Sequence, residues 1–469
     1  MALDNGSDSG LRVHLEAFLA NQRLAQAGAG APDLDARRAD LLKLKKAIQA
    51  HRRDFVRAAA ADFGARPAED TLILDVGPVV QGINQMRRHL RRWMQPERRS
   101  VPITLWPGRA RILRDPLGVV GIMAPWNYPF GLSLMPLATA LAAGNRVMLK
   151  PSELAPESSR QIAALVRNAF DPAQVVVVEG DAETGAAFAG LPFDHLFFTG
   201  STGVGRKVMR AAADNLVPVT LELGGKSPVI LARDADFAKA ARDIAFGKIA
   251  NAGQTCIAPD YVLVHEEDAA AFADRLGAEM KRKYAVSARR SGPCGIISAR
   301  HSDRLQSLLD EARDMGARVI ETGPQDGGIG PTIVLNAPPE SRLLTEEIFG
   351  PILPILTYVE IDEAIGNVAS GPKPLALYLY SDDRAVRDHI LRNTSSGNVT
   401  VNGVMTHYAV DDLPFGGVGQ SGIGAYHGRA GFDAMSHAKG VFEEPRRSLI
   451  PLGRPGGRFA KLFARYMMR

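Results

Sequence analysis

The chain has 469 residues with 46% hydrophobic and 23% charged content, too long for one hydrophobic core, which predicts two or three domains. Its net charge of +5 sits in the tail: residues 446–469 hold seven of the 56 Lys and Arg and no acid, leaving 49 bases against 51 acids elsewhere, so a general nucleic-acid-binding role is excluded. Two cysteines, Cys256 and Cys294, give no disulfide scaffold and point to a reducing, cytoplasmic setting; the opening MALDNGSDSG has no basic or apolar secretory signature.

The first hundred residues read as helical, with Leu34, Leu41, Leu42, Leu44, Ile48 and Phe55 at roughly helical spacing and Asp33 as a cap. The arginine-rich stretch from Arg87 to Arg114 reads as a solvated helix face or a subunit contact. Pro116 to Asn145 carries no charge and is long enough to mimic a membrane span. Its prolines, with Asn127 and Gly131, instead divide it into a strand, Val119 to Ala124, a turn, and a short helix, Leu132 to Ala143. From Val119 onward the runs VVGIMA, RVMLK, QVVVVEG, HLFFTG and PVTLELG alternate with helical segments. SPVILA, DYVLVHE, TIVLN, LPILTYV and ALYLYS repeat the pattern, with helices such as Ala364 to Ser370 and Asp383 to Arg392. Two α/β domains with parallel sheets follow.

Chemistry concentrates in short motifs. NAGQTC ends on Cys256, and Glu222 lies 34 positions upstream in LELGGKSP. A thiolate attacks carbonyl carbon better than any hydroxyl side chain, and a carboxylate beside it is suited to taking a proton from water. Gly200-Ser-Thr-Gly-Val-Gly205 joins the strand HLFFTG to a helix, so its backbone can approach a pyrophosphate at a helix N-terminus. The pattern is not GxGxxG, and its additional glycine, Gly203, loosens the turn. Lys150 and Glu153, after the strand RVMLK, can hydrogen-bond ribose hydroxyls. A mechanical Rossmann reading would give Glu222, 17 residues past Gly205, that ribose role instead. Cys294, in SGPCGII, reads as structural.

PWNYPF (125–130), LKPSE (149–153), FTGSTGVG (198–205), LELGGKSP (221–228), NAGQTCIAPDYVLV (251–264), EEIFGP (346–351) and LPFGGVGQSGIG (413–424) together resemble the aldehyde dehydrogenase superfamily over about residues 10–440. CIAPDYVLV and YHGRAGFDAMSHAKGVF further resemble its class 3 branch, especially bacterial coniferyl aldehyde dehydrogenases. The resemblance implies an α/β fold with a Rossmann-like cofactor domain (1–98 and 116–223), an α/β catalytic domain (224–408), a small β oligomerisation or bridging element (99–115 and 409–445) and a basic amphipathic tail (446–469). It implies Cys256 as nucleophile, Asn127 as oxyanion donor and Glu222 as the activator of water. Lys150 and Glu153 would bind the adenosine ribose, with Gly200, Ser201 and Gly205 at the pyrophosphate. Glu347 would hold the nicotinamide ribose and Phe349 would pack near the ring. Trp126 and Phe415 resemble pocket aromatics, each otherwise an ordinary core aromatic, the reading preferred for Trp126, and His407 and His427 fall near pocket or subunit contacts.

The implied reaction is NAD(P)-dependent oxidation of an apolar or aromatic aldehyde, such as coniferyl aldehyde, to its acid, with no metal. NAD is the expected cofactor because Glu153 would repel a 2′-phosphate, with NADP tolerated through Lys150. A homodimer is expected. Peripheral membrane contact through Phe459, Leu462, Phe463, Tyr466 and Met467, with Arg458, Lys461 and Arg465 elsewhere on the same helix, is weighed against packing of that tail on the dimer. Rivals are a CoA-acylating dehydrogenase, which gains little from Glu222, a cysteine hydrolase without redox chemistry, and a noncatalytic binding protein on the same fold.

Overall fold

The computed structural model describes residues 8–292, 294–323, 329–446, 456–457 and 459–468. Two long helices open the chain, Asp8–Ala29 and Leu34–Asp62. Asp33 caps the second by accepting from the Ala36 amide at 2.9 Å, a contact typically worth about 1 kcal/mol. That helix buries Leu41, Leu44, Ile48 and Phe55. Phe55 stacks on Phe130 at 4.1 Å between ring centroids, against the helix Pro129–Ala143. Every residue of the latter helix is buried, which explains its uncharged sequence. No helix among the described residues is long and apolar enough to cross a membrane.

The first sheet has six strands in the order Gly422–Ile423, Val219–Glu222, His195–Thr199, Val119–Met123, Arg146–Lys150, Val175–Val177. All are parallel except the Gly422–Ile423 edge. Side chains alternate between two cores: Val120, Ile122 and Phe197 face the helices that follow Leu34, whereas Val119, Met123, Leu196 and Phe198 face Leu15, Leu19, Phe188 and Val208. This two-residue period is why both faces carry helices.

The second sheet has seven strands in the order Arg318–Glu321, Thr332–Leu335, Ile352–Tyr358, Tyr261–His265, Pro228–Leu231, Ala376–Tyr380, Asn398–Val401. Five of them match the apolar runs in the sequence. The short edge strands Arg318–Glu321 and Asn398–Val401 lack such runs because an edge strand needs less apolar cover. A third, antiparallel sheet pairs Glu97–Arg99 and Ser436–Glu443 with Arg109–Pro116. The arginines from 98 to 114 therefore lie largely on strands and connecting turns, after the helix Gly77–Trp93 ends.

Candidate active site

In the first sheet, strands leave Val119–Met123 in one direction (146–150, then 175–177) and His195–Thr199 in the other (219–222). This makes a topological switch point, and ligands bind outside the carboxyl ends of strands there. Ala124 to Asn127 follow one of those ends, and Gly200 and Ser201 follow the other. Glu222 ends the next strand, and only five residues connect it to Pro228, the start of the second sheet. Pro228 pairs with Tyr261, which places the preceding NAGQTC loop at the amino edge of the second sheet, facing the carboxyl edge of the first.

The Cys256 loop is tightly specified. Asn251 and Ala252 adopt left-handed backbone angles, and Gln254, wholly buried, donates to Asn251 O and Gly295 O at 3.0 Å each while accepting from the Ile297 amide at 3.0 Å. Asn127 Nδ2 donates to Gln254 O at 3.0 Å, so one amide proton anchors the side chain and the second is free to donate. Tyr128 and Thr255 share a hydroxyl contact of 2.9 Å beside it. The backbone N–H groups of Cys256 and Ile257 point at the sulfur. Burial, followed by the charges of Glu347 and Glu222, nevertheless pushes this thiol up to about 12.

Glu222 is buried and Glu347 is half-buried. Among the described residues Glu222 has no hydrogen-bond partner on either oxygen, and burial holds its pKa well above the ordinary value. Glu347, displaced upward to about 8 by burial and then by Asp260, accepts from the Gly225 amide and leaves Oε1 unpartnered. Its approach depends on Gly224, where a Cβ would lie 2.0 Å from Glu347 Oε2.

Two cavities meet at Cys256 and Glu222. One of about 500 Å³ is predominantly apolar, with Leu72, Phe246, Tyr128, Tyr408, Phe415 and Tyr426 in its wall. The other, about 280 Å³, holds Asn127, Gly200, Ser201, Glu347 and Phe349, and its wall continues through Trp126, His301 and Arg304 into a cavity of about 830 Å³ containing Lys150 and Glu153. Lys150, nearly buried, pairs with the half-exposed Glu153 at 3.4 Å. Ser201 caps the helix Thr202–Ala213. Unpartnered oxygens on Glu347, Thr199 and Glu222 at one end, and this Lys–Glu pair at the other, fit a nicotinamide dinucleotide lying along the two joined cavities. Glu347 and Phe349 would hold its nicotinamide half, and Lys150, Glu153 and Ser201 its adenosine and phosphates.

The structure therefore gathers Asn127, Glu222, Cys256, Gly200, Ser201, Glu347 and Phe349 around one space, with Lys150 and Glu153 further along it. Two placements differ from expectation. Trp126 does not line the apolar cavity; it lines the smaller cavity, edge-on to Phe349 and His301 at 5.4 and 5.2 Å. Gly205 lines neither of the two joined cavities; a Cβ there would meet Leu223 at 2.5 Å, so it serves close packing of helix on strand. Phe415 does line the apolar cavity. His407 and His427 stack on Phe415 and are driven down to about 4 and 3 by burial, which keeps them neutral wall supports. Cys294 donates to Asn251 Oδ1 at 3.3 Å behind the loop.

Sequence reasoning missed Tyr128 and Thr255, although they adjoin Asn127 and Cys256. It also missed Leu72, Ile73 and Leu74, which line the apolar cavity from a π-helical turn, Asp70–Val76, that has no periodic signal.

The aldehyde dehydrogenase family matches residues 12–441. Coniferyl aldehyde dehydrogenase of Pseudomonas sp. is 45% identical over 93% of this chain and 92% of its own, and aldehyde dehydrogenase family 3 member H1 of Arabidopsis thaliana is 41% identical over 86% and 84%. Among solved structures, the substrate-bound state of Staphylococcus aureus AldH superposes with a TM-score of 0.90 at 38% identity, over 96% of this chain and 99% of that one. The chain belongs to the aldehyde dehydrogenase family, and its reaction is NAD(P)-dependent oxidation of an aldehyde.

Proposed function

We propose that Cys256 is the nucleophile, Asn127 the oxyanion donor and Glu222 the base for hydrolysis, acting on an extended apolar aldehyde of the aryl-propenal kind, such as coniferyl aldehyde. The observation that carries this reading is the position of Cys256 and Glu222 at the junction of an apolar cavity and the one whose lining suits the dinucleotide. The Cys256 sulfur adds to the aldehyde carbon as its proton passes to water and on to bulk solvent. The former carbonyl oxygen accepts from the Asn127 side chain and the Cys256 backbone N–H; one such donor is typically worth roughly 2.7 to 4 kcal/mol in the transition state. Bound NAD(P)+ supplies the hydride acceptor, after which the acyl group remains on Cys256 as a thioester. Glu222 takes a proton from water as the water oxygen adds to the thioester carbon, and the acid leaves as the thiol reforms. Its raised pKa makes Glu222 a stronger base once ionised.

Substrate breadth follows from the wall. Tyr128, Phe246, Tyr408, Phe415 and Tyr426 offer aromatic faces to a planar conjugated aldehyde, while Gln81 and Thr406 are polar groups suited to ring oxygens. The name of the Pseudomonas relative points the same way. The test is reduced-nicotinamide formation across an aldehyde panel, with and without CoA. A kcat/KM for 4-hydroxy-3-methoxycinnamaldehyde well above that for acetaldehyde, without CoA, supports the reading; the reverse order contradicts it.

The same proposal takes the chain to be a cytoplasmic homodimer joined through the antiparallel sheet that ends in Ser436–Glu443, whose residues His437 to Gly440 are exposed. In the tail, Ala460–Met467 is helical with Phe459 and Leu462 exposed; Arg458 and the side chains of Phe463, Tyr466 and Met467 lie outside the described residues. Tail-dependent cosedimentation with anionic liposomes tests its membrane contact, and equal partitioning after truncation at Glu444 rules it out.

A further inference from the structure

Between the helix Leu34–Asp62 and the π-helical turn Asp70–Val76 lies Arg66, whose guanidinium is wholly buried. Its Nη1 donates to the backbone carbonyl of Asn127 at 3.0 Å. The same carbonyl accepts from Asn251 Nδ2 at 2.9 Å, and that Nδ2 also reaches Gln254 O at 3.2 Å. Arg66 lies against the rings of Tyr128 and Phe63, at 4.9 and 5.0 Å. Its counter-charge is Asp75, also wholly buried, 3.7 Å from Nη2. Asp75 in turn accepts from the Gly131 amide at the start of the helix Pro129–Ala143. From the same segment, the Asp70 carboxylate accepts from the Asn251 backbone N–H. One stretch of ten residues thus grips the Asn127 loop, the wall residue Tyr128 and the Cys256 loop from behind. Arg66 lines neither of the cavities that meet at Cys256.

Burying an arginine carries a desolvation cost that its ion pair and hydrogen bonds must offset. What it fixes here is the peptide carrying the oxyanion donor. We infer that Arg66, with Asp75 as its counter-charge, is a positioning residue for the reaction: it sets the Asn127 side chain against the substrate oxygen by holding the Asn127 carbonyl. Asn127 Nδ2 has one proton committed to Gln254 O, so its second proton points usefully only if the backbone beneath it is fixed. Removing the guanidinium leaves the carbonyl with Asn251 alone and lets the donor drift, without touching the residues that would hold the dinucleotide.

This inference rests on the oxyanion role proposed for Asn127, and a double-mutant cycle separates the two. Wild type, Arg66→Met, Asn127→Ala and the combined variant are compared for kcat with aldehyde, KM for NAD+ and melting temperature. Arg66→Met strands the Asp75 carboxylate and can fail to fold, so Arg66→Met/Asp75→Asn, which removes both charges, is run in parallel alone and with Asn127→Ala. The expected result is a kcat loss of about 100-fold for the Arg66 change in the native background, the size typical of a misplaced catalytic group, with KM for NAD+ little changed. In the Asn127→Ala background the same change costs under about threefold, because the group it positions is gone. An undiminished loss in that background, or wild-type kcat in Arg66→Met/Asp75→Asn, overturns the positioning role while leaving the oxyanion reading intact. Wild-type kcat in Asn127→Ala overturns both.

Discussion

Lys226 and Asp260 form a largely buried ion pair that joins the link following Glu222 to the loop following Cys256. Lys226 also donates to Leu343 O and Glu346 O at 2.7 and 2.9 Å, and Asp260 accepts from the Ile348 amide at 2.9 Å. Three segments, carrying Glu222, Cys256 and the Glu347–Phe349 pair, therefore converge on one contact. Lys226→Met would leave Asp260 buried without its paired cation, a defect that typically costs about 3 to 5 kcal/mol. Thermal unfolding should show a lowered midpoint, and steady-state kinetics a raised KM for NAD+, with Lys226→Met/Asp260→Asn recovering part of the stability. A wild-type melting midpoint for Lys226→Met would show that the pair does not brace these segments.

The thiol of Cys256 should be slow to alkylate in the absence of cofactor, because burial and two neighbouring carboxylates hold it near 12. Iodoacetamide labelling, assigned to Cys256 by peptide mass spectrometry so that Cys294 is scored separately, should rise with pH without a plateau up to about pH 10. Glu347 is displaced to about 8, so it is mainly neutral below that pH and opposes the thiolate above it. Glu347→Gln should thus label at the wild-type rate near pH 6.5 and faster near pH 9. Equal rates at both pH values would remove Glu347 from the electrostatics of the thiol.

Cofactor preference should turn on Glu153, whose carboxylate lies by Lys150 in the larger cavity. Glu153→Gln removes the charge that a 2′-phosphate would face and leaves the lysine in place. The ratio of kcat/KM for NADP to that for NAD should rise about tenfold, equivalent to ~1.4 kcal/mol. An unchanged ratio would place the adenosine ribose elsewhere.

What could be read from the chain divides along physical lines. Strands buried on both faces, such as Val119–Met123 and Tyr261–His265, wrote themselves as apolar runs, and Asp33 as a cap needed only its local chemistry. That Cys256, Glu222 and Asn127 share one space could be expected because they stood in compact motifs. The placement of Trp126 could not: its side of the loop is decided by packing against Phe349 and His301, residues more than 170 positions away. Arg66 carried no signal either, since a buried guanidinium is recognisable only once the carbonyl it holds is known. The wall formed by Leu72, Ile73 and Leu74 depends on a π-helical turn, which has no hydrophobic period to detect.

Everything in the catalytic account passes through an acyl group on Cys256 that Glu222 helps water remove. The most direct measurement mixes Glu222→Gln with NAD+ and aldehyde, follows the first turnover, and weighs the intact protein. A burst of about one reduced nicotinamide per site, acyl mass on the Cys256 peptide, and steady-state turnover slowed by about 100-fold or more are expected from losing the base. Normal turnover with no acyl adduct, or an adduct on any other residue, would contradict it.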